Sequence, residues 1–96
     1  MIRHTVTFTF KPALGERDII RFFTAAKQLA NIGGVQNFEC LKQISTKNNF
    51  GYGLSMEFET IDLYNHYNNH PEHTAFVQQY WIPNVVDFLE IDYQPL

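Results

Sequence analysis

Residues Ile2 to Phe10 alternate without a break, and this run constrains the fold more than any other feature of the chain. Ile2, His4, Val6, Phe8 and Phe10 fall on one face, and Arg3, Thr5, Thr7 and Thr9 on the other. A period of two carried by β-branched and aromatic residues marks a strand. A histidine, His4, lies in the middle of the apolar face. Lys11-Pro12-Ala13-Leu14-Gly15 ends the run, because proline and glycine interrupt regular structure.

The period then changes. Ile19, Phe22, Phe23, Ala26, Leu29 and Ala30 recur at three and four, which predicts an amphipathic helix over 16–32. Glu16 and Asp18 near its start suit the helix dipole, and Gly33-Gly34 supplies a residue that tolerates the left-handed stop. Val35 to Ile44 and Phe50 to Phe58 read as two strands joined by the polar turn 45–49. Thr60 is placed to cap a helix over 60–69, with Ile61, Tyr64 and either Tyr67 or Asn68 facing inward. Pro71 ends it and opens a short third helix to about Tyr80, which Pro83 interrupts. Val86 to Tyr93 is the last strand. The order β-α-β-β-α-β, with a small extra helix, predicts a ferredoxin-like α+β fold in one domain, residues 1–96.

Ninety-six residues give room for one core, and the balance of 45% hydrophobic to 18% charged residues excludes a disordered chain. The seven Lys and Arg are scattered on a chain of net charge −3, so no basic stripe is available for nucleic acid. No apolar run approaches the ~20 residues of a membrane helix. The chain shows no basic-then-apolar leader, and its single cysteine, Cys40, cannot pair within the chain. Both features point to a reducing cytoplasm.

The chain resembles the stress-responsive dimeric A/B-barrel (Dabb) family along nearly its whole length. The resemblance rests on Ile2-Arg3-His4-Thr5-Val6-Thr7-Phe8-Thr9-Phe10-Lys11, on Phe50-Gly51-Tyr52, on Met56-Glu57-Phe58-Glu59 and on Ile91-Asp92-Tyr93. Its most specific part is Tyr67-Asn68-Asn69-His70-Pro71-Glu72-His73, followed by Phe76. The resemblance implies a homodimer, a dimeric α+β barrel whose two sheets face each other, with the threonine-rich faces of the strands inside. It also implies a cavity between sheet and helices. One subset of the family, the plant polyketide cyclase olivetolic acid cyclase, uses a tyrosine and a histidine that match Tyr67 and His73, and the family's first-strand histidine matches His4. Tyr52 stands where that cyclase has a further histidine, and Ala26 where it has a tyrosine, so polyketide specificity does not carry over.

Tyr67 and His73 would lie on opposite sides of one continuous helix. A break at Pro71 lets both turn to one cavity. A neutral imidazole accepts a proton near neutral pH, and a phenol stabilises a developing enolate. The pair is the candidate catalytic set. Its alternative is structural: His73 stapling the helix junction through a backbone carbonyl, with Tyr67 as core. The expected pocket lining is His4, Val6, Phe8, Phe22, Phe23, Tyr52, Leu54, Met56 and Phe76. His66 and His70 are spaced i, i+4, as in some metal sites, but no carboxylate or cysteine joins them, and neither metal nor cofactor is expected. A cation held by carbonyls near Ala30 to Gly33 is conceivable and has no sequence signal. Cys40 reads as a small buried hydrophobe, and Tyr80 and Trp81 as lid packing. Three functions stay open: a small-molecule-binding domain for an apolar or carbonyl compound, a cofactor-free lyase or cyclase, and a non-catalytic interaction module.

Overall fold

The computed structural model describes residues 1–96. Strand β1 (Ile2–Phe10) leads into helix α1 (Glu16–Lys27), which tightens into a 3-10 turn, Gln28–Asn31. Strands β2 (Gln36–Lys42) and β3 (Tyr52–Phe58) form a hairpin. Helix α2 (Ile61–Asn69) is followed by α3 (Pro71–Phe76), which runs on through a wide π turn, Val77–Trp81, and a last helical turn, Ile82–Asn84. Strand β4 (Val85–Tyr93) closes the fold. The four strands form one antiparallel sheet in the order β2-β3-β1-β4.

Local chemistry accounts for the element ends. The Thr60 hydroxyl accepts the Leu63 N–H at 3.2 Å and caps α2. The Asp18 carboxylate accepts the Gly15 N–H at 3.1 Å at the start of α1. Of the glycine pair, Gly34 takes the left-handed conformation at φ 95°, where a Cβ would lie 3.1 Å from the Leu63 side chain. Asn37, at φ 51°, sits where the β2–β3 register shifts, a conformation asparagine accepts more readily than most residues.

The core lies between the sheet and the helices. Phe8, Phe22, Phe58 and Met56 are its largest fully buried side chains. Each such side chain contributes roughly 1.5–3 kcal/mol on burial. The alternation expected for β1 holds, with His4, Val6 and Phe8 buried on the helix side.

Three expectations are corrected. Ile61 is 57% exposed and Ala30 is exposed, so neither belongs to its helix's inward stripe; Tyr64 and Tyr67 carry α2 instead. The regular part of the first helix stops at Lys27 rather than near Ile32, because the chain winds tighter over its last turn. Pro83 does not interrupt the third helix. The chain widens to a π turn just ahead of it, which accommodates a residue with no N–H to donate.

Strand β4 is an edge strand with an inverted pattern. Its register sets Leu89 beside Thr7, Ile91 beside Thr5 and Tyr93 beside Arg3, on the face away from the helices. There Leu89 is 49%, Ile91 38% and Tyr93 53% exposed. On the helix side the same strand carries Phe88, Glu90 and Asp92, opposite Phe8, Val6 and His4. An edge strand with apolar residues outward and carboxylates inward is the reverse of ordinary core patterning.

Candidate functional site

A cavity of about 300 Å³ lies under the helices against β1, β3 and β4, lined mainly by hydrophobic side chains. Val6, Leu54 and Met56 form its floor on the sheet, and Leu29, Phe76, Val77, Trp81 and Ile82 its helical wall. Four polar side chains reach it: His4 from β1, Tyr67 from α2, His73 from α3 and Glu90 from β4.

The α2–α3 junction brings Tyr67 and His73 together. His70 closes both sides of the break: it caps the end of α2, and its Nδ1 accepts the Glu72 N–H at 3.1 Å at the start of α3. Pro71 takes the first position of α3, where its missing N–H costs nothing. The chain therefore turns, and the His73 and Tyr67 rings lie 4.5 Å apart between centroids. His73 Nδ1 lies 3.2 Å from the Asn68 carbonyl oxygen. A carbonyl only accepts, so the Nδ1–H donates and the neutral ring keeps its lone pair on Nε2. Burial lowers the His73 pKa below the ordinary 6.5, outweighing the bond to Asn68, so the ring is neutral near pH 7.

Tyr67 is nearly fully buried, and burial raises its phenol pKa well above the usual 10. The hydroxyl therefore stays protonated. No protein group hydrogen-bonds it, and no side-chain polar atom is both fully buried and unpaired. The phenol oxygen accordingly opens onto the cavity.

His4 belongs to a second polar cluster. Its Nδ1 lies 2.6 Å from Asp92 Oδ1 and 2.9 Å from the Tyr64 oxygen, and the Tyr64 O–H donates to Asp92 Oδ2 at 2.8 Å. Burial raises the Tyr64 phenol pKa, and the Asp92 carboxylate adds to the shift. The cluster explains a histidine on an apolar strand face: His4 Nδ1, the Tyr64 hydroxyl and both Asp92 carboxylate oxygens all have partners.

The expected lining residues divide in two. His4, Val6, Leu54, Met56 and Phe76 line the cavity with Tyr67 and His73. Phe8, Phe22, Phe23 and Tyr52 do not. They interlock with Phe10 in an aromatic cluster, ring centroids 4.9–6.2 Å apart, that fills the neighbouring core. Sequence reasoning missed Leu29, Val77, Ile82, Phe88 and Glu90 as cavity residues, and Tyr64 and Asp92 as partners of His4. The signal for Glu90 and Asp92 was present: two carboxylates alternate within the last apolar strand. Trp81 lines the cavity as well as packing on Phe8, Phe22 and Phe88. Tyr80 stacks on Phe76. The His66 and His70 rings lie 5.5 Å apart, and no three His, Cys, Asp or Glu side chains converge as a metal site. Cys40 is half-buried, and burial pushes its thiol pKa up. A larger open groove of about 660 Å³ runs between α1 and α3, lined by residues such as Ile20, Thr24 and Gln79. Neither Tyr67 nor His73 reaches it.

The stress-responsive A/B-barrel domain signature matches residues 2–95. The chain belongs to the Dabb family. A Dabb family protein of ferredoxin-like fold from Mesorhizobium loti is 51% identical, with 99% of this chain and 96% of that one covered and a TM-score of 0.93. A dimeric ferredoxin-like protein of unknown function from Thermobifida fusca is 20% identical, covering 96% and 88%, with a TM-score of 0.82. A hydroxynitrile lyase from Passiflora edulis is 15% identical, covering 96% and 90%, with a TM-score of 0.86. No curated protein matches. As a Dabb domain of ferredoxin-like fold, the chain has the architecture expected from its element order. No helix is long and apolar enough to cross a membrane.

Proposed function

We propose that this Dabb domain binds a small, largely apolar carbonyl compound in the cavity and moves a proton at the carbon next to the carbonyl. The observation that carries the reading is the meeting of one phenol and one imidazole, ring centroids 4.5 Å apart, on the wall of an apolar cavity. His73 Nε2 takes the proton, and the Tyr67 O–H donates to the oxygen that gains charge as the enolate forms. Side chains alone carry this step, so the reading calls for no cofactor. About 300 Å³ is at the lower end of small-molecule sites, which limits the ligand to roughly one ring and a short chain.

The reading includes a homodimer packed through the open sheet faces. The outward Leu89, Ile91 and Tyr93 support it, as does the dimeric state of the Thermobifida relative. A cytoplasmic location is also part of the reading, from the lone half-buried thiol. A second reading, a binding domain without turnover, is favoured by the His73–Asn68 bond, which also staples the α2–α3 junction.

Deuterium uptake separates the two. Phenylacetone in D2O should exchange its α-protons faster with the protein than with buffer alone, and Tyr67→Phe or His73→Ala should remove the excess rate. Binding without any excess exchange would leave the domain a binder.

A further inference from the structure

The inverted pattern of β4 puts two carboxylates on the cavity side of the sheet, and only one of them is occupied. Asp92 is held by His4 and Tyr64. The side chain of Glu90, two residues back and opposite Val6, takes part in no hydrogen bond and in neither ion pair of the molecule, Arg3–Glu57 and His4–Asp92. It is exposed to solvent, yet it lines the cavity. The groups facing it are His4 from β1, Tyr67 from α2 and His73 from α3, and no Lys or Arg is among the lining residues. Glu90 is therefore the one carboxyl side chain lining the cavity, and no Lys, Arg or His of the chain forms an ion pair with it. Burial sets the direction of both shifts, down for His73 and up for Tyr67, and the nearby Glu90 adds a smaller upward push to each.

We infer that Glu90 is a specificity-determining residue at the mouth of the cavity, selecting ligands that are neutral or cationic, or that present a hydrogen-bond donor, and rejecting carboxylates and phosphates. The inference rests on the proposed carbonyl site and adds the charge class of its ligand. An anionic ligand would set its charge beside an uncompensated carboxylate at the rim of an apolar cavity. An ammonium or hydroxyl group in the same place would be the partner Glu90 lacks. The carbonyl end of such a ligand would meet Tyr67 and His73, and the polar end Glu90.

Three probes of one shape test this: acetophenone, 4-(aminomethyl)acetophenone and 4-acetylbenzoate, titrated at pH 7 into the wild type and into Glu90→Gln. Glu90 is exposed and unpaired, so the variant should fold normally. The wild type should bind the cation at least as well as acetophenone and the anion about tenfold more weakly. Glu90→Gln should bring the three within about twofold, mostly by improving the anion. Equal binding of anion and neutral probe by the wild type would overturn the inference, as would an unchanged gap in the variant. The carbonyl site would survive either result. Failure of all three probes to bind would end both.

Discussion

Tyr64 and Tyr67 lie three residues apart on one face of α2, both buried, and their hydroxyls have opposite surroundings. The Tyr64 O–H is spent on Asp92 and its oxygen sits against His4; the Tyr67 O–H opens onto the cavity. The same substitution should therefore have opposite effects. Tyr64→Phe should destabilise the fold by about 1–2 kcal/mol, because it leaves part of a buried polar cluster unpaired. Tyr67→Phe should change stability by no more than ~0.5 kcal/mol and remove α-proton exchange. Urea unfolding of both variants beside the exchange assay checks this, and a Tyr67→Phe loss as large as that of Tyr64→Phe would make Tyr67 structural. A pH prediction belongs to His73. Its folded pKa is lowered, so the unfolded chain takes up the proton first as pH falls. The stability favouring the neutral ring is complete above the ordinary 6.5 and is lost as pH drops from there through the folded value. Exchange activity should follow that folded value, staying constant above 6.5 and falling only on the acid side of it. NMR titration of the His73 ring reads the value directly. At this scale the sequence offered Tyr67 and His73 as candidates, and its periodicity did not show which tyrosine hydroxyl is free. Tyr64 and Tyr67 share one helical stripe, and only the cross-strand neighbour Asp92 tells them apart.

Pro71 ends one helix and begins the next at the element scale, and His70 seals the junction. The side chain of His70 replaces a missing carbonyl for the Glu72 N–H, so the turn that aims His73 at Tyr67 is held by a cap. His70→Ala should lower stability by about 1 kcal/mol, a Tm loss of roughly 4–8 °C, while His70→Asn should retain most of it. Thermal melts of the pair decide whether the ring acts as a cap. The break at Pro71 was legible because proline bars the preceding residue from helix. The continuation past Pro83 was not, because a π turn is a response to packing rather than a local preference. The lining was misjudged for a similar reason. Phe8, Phe22, Phe23 and Tyr52 share faces with true cavity residues, and only three-dimensional packing shows that their rings fill one end of the core and leave the other hollow.

For the whole molecule, β4 joins the two surfaces that matter. Leu89, Ile91 and Tyr93 face out from the sheet, while Glu90 and Asp92 face the cavity and the buried histidine. If the outward face packs on a second copy, Ile91→Glu should give a monomer by analytical ultracentrifugation, with the cavity residues untouched; a variant that still sediments as a dimer would place the contact elsewhere. The ferredoxin-like topology was legible from alternating periods of two and 3.6, but the inversion of β4 was read only as an apolar strand. Which side of an edge strand is buried depends on its partner, and periodicity along one chain does not carry that. Where a ketone settles decides the proposed function, because the open groove between α1 and α3 is the larger hollow. Nuclear Overhauser contacts to bound phenylacetone measure this most directly. A ketone held at the proposed site gives contacts to the Tyr67 and His73 rings and to Leu54, Met56 and Trp81. Contacts to Ile20, Thr24 and Gln79 instead would place the ligand in the open groove and contradict the proposed site.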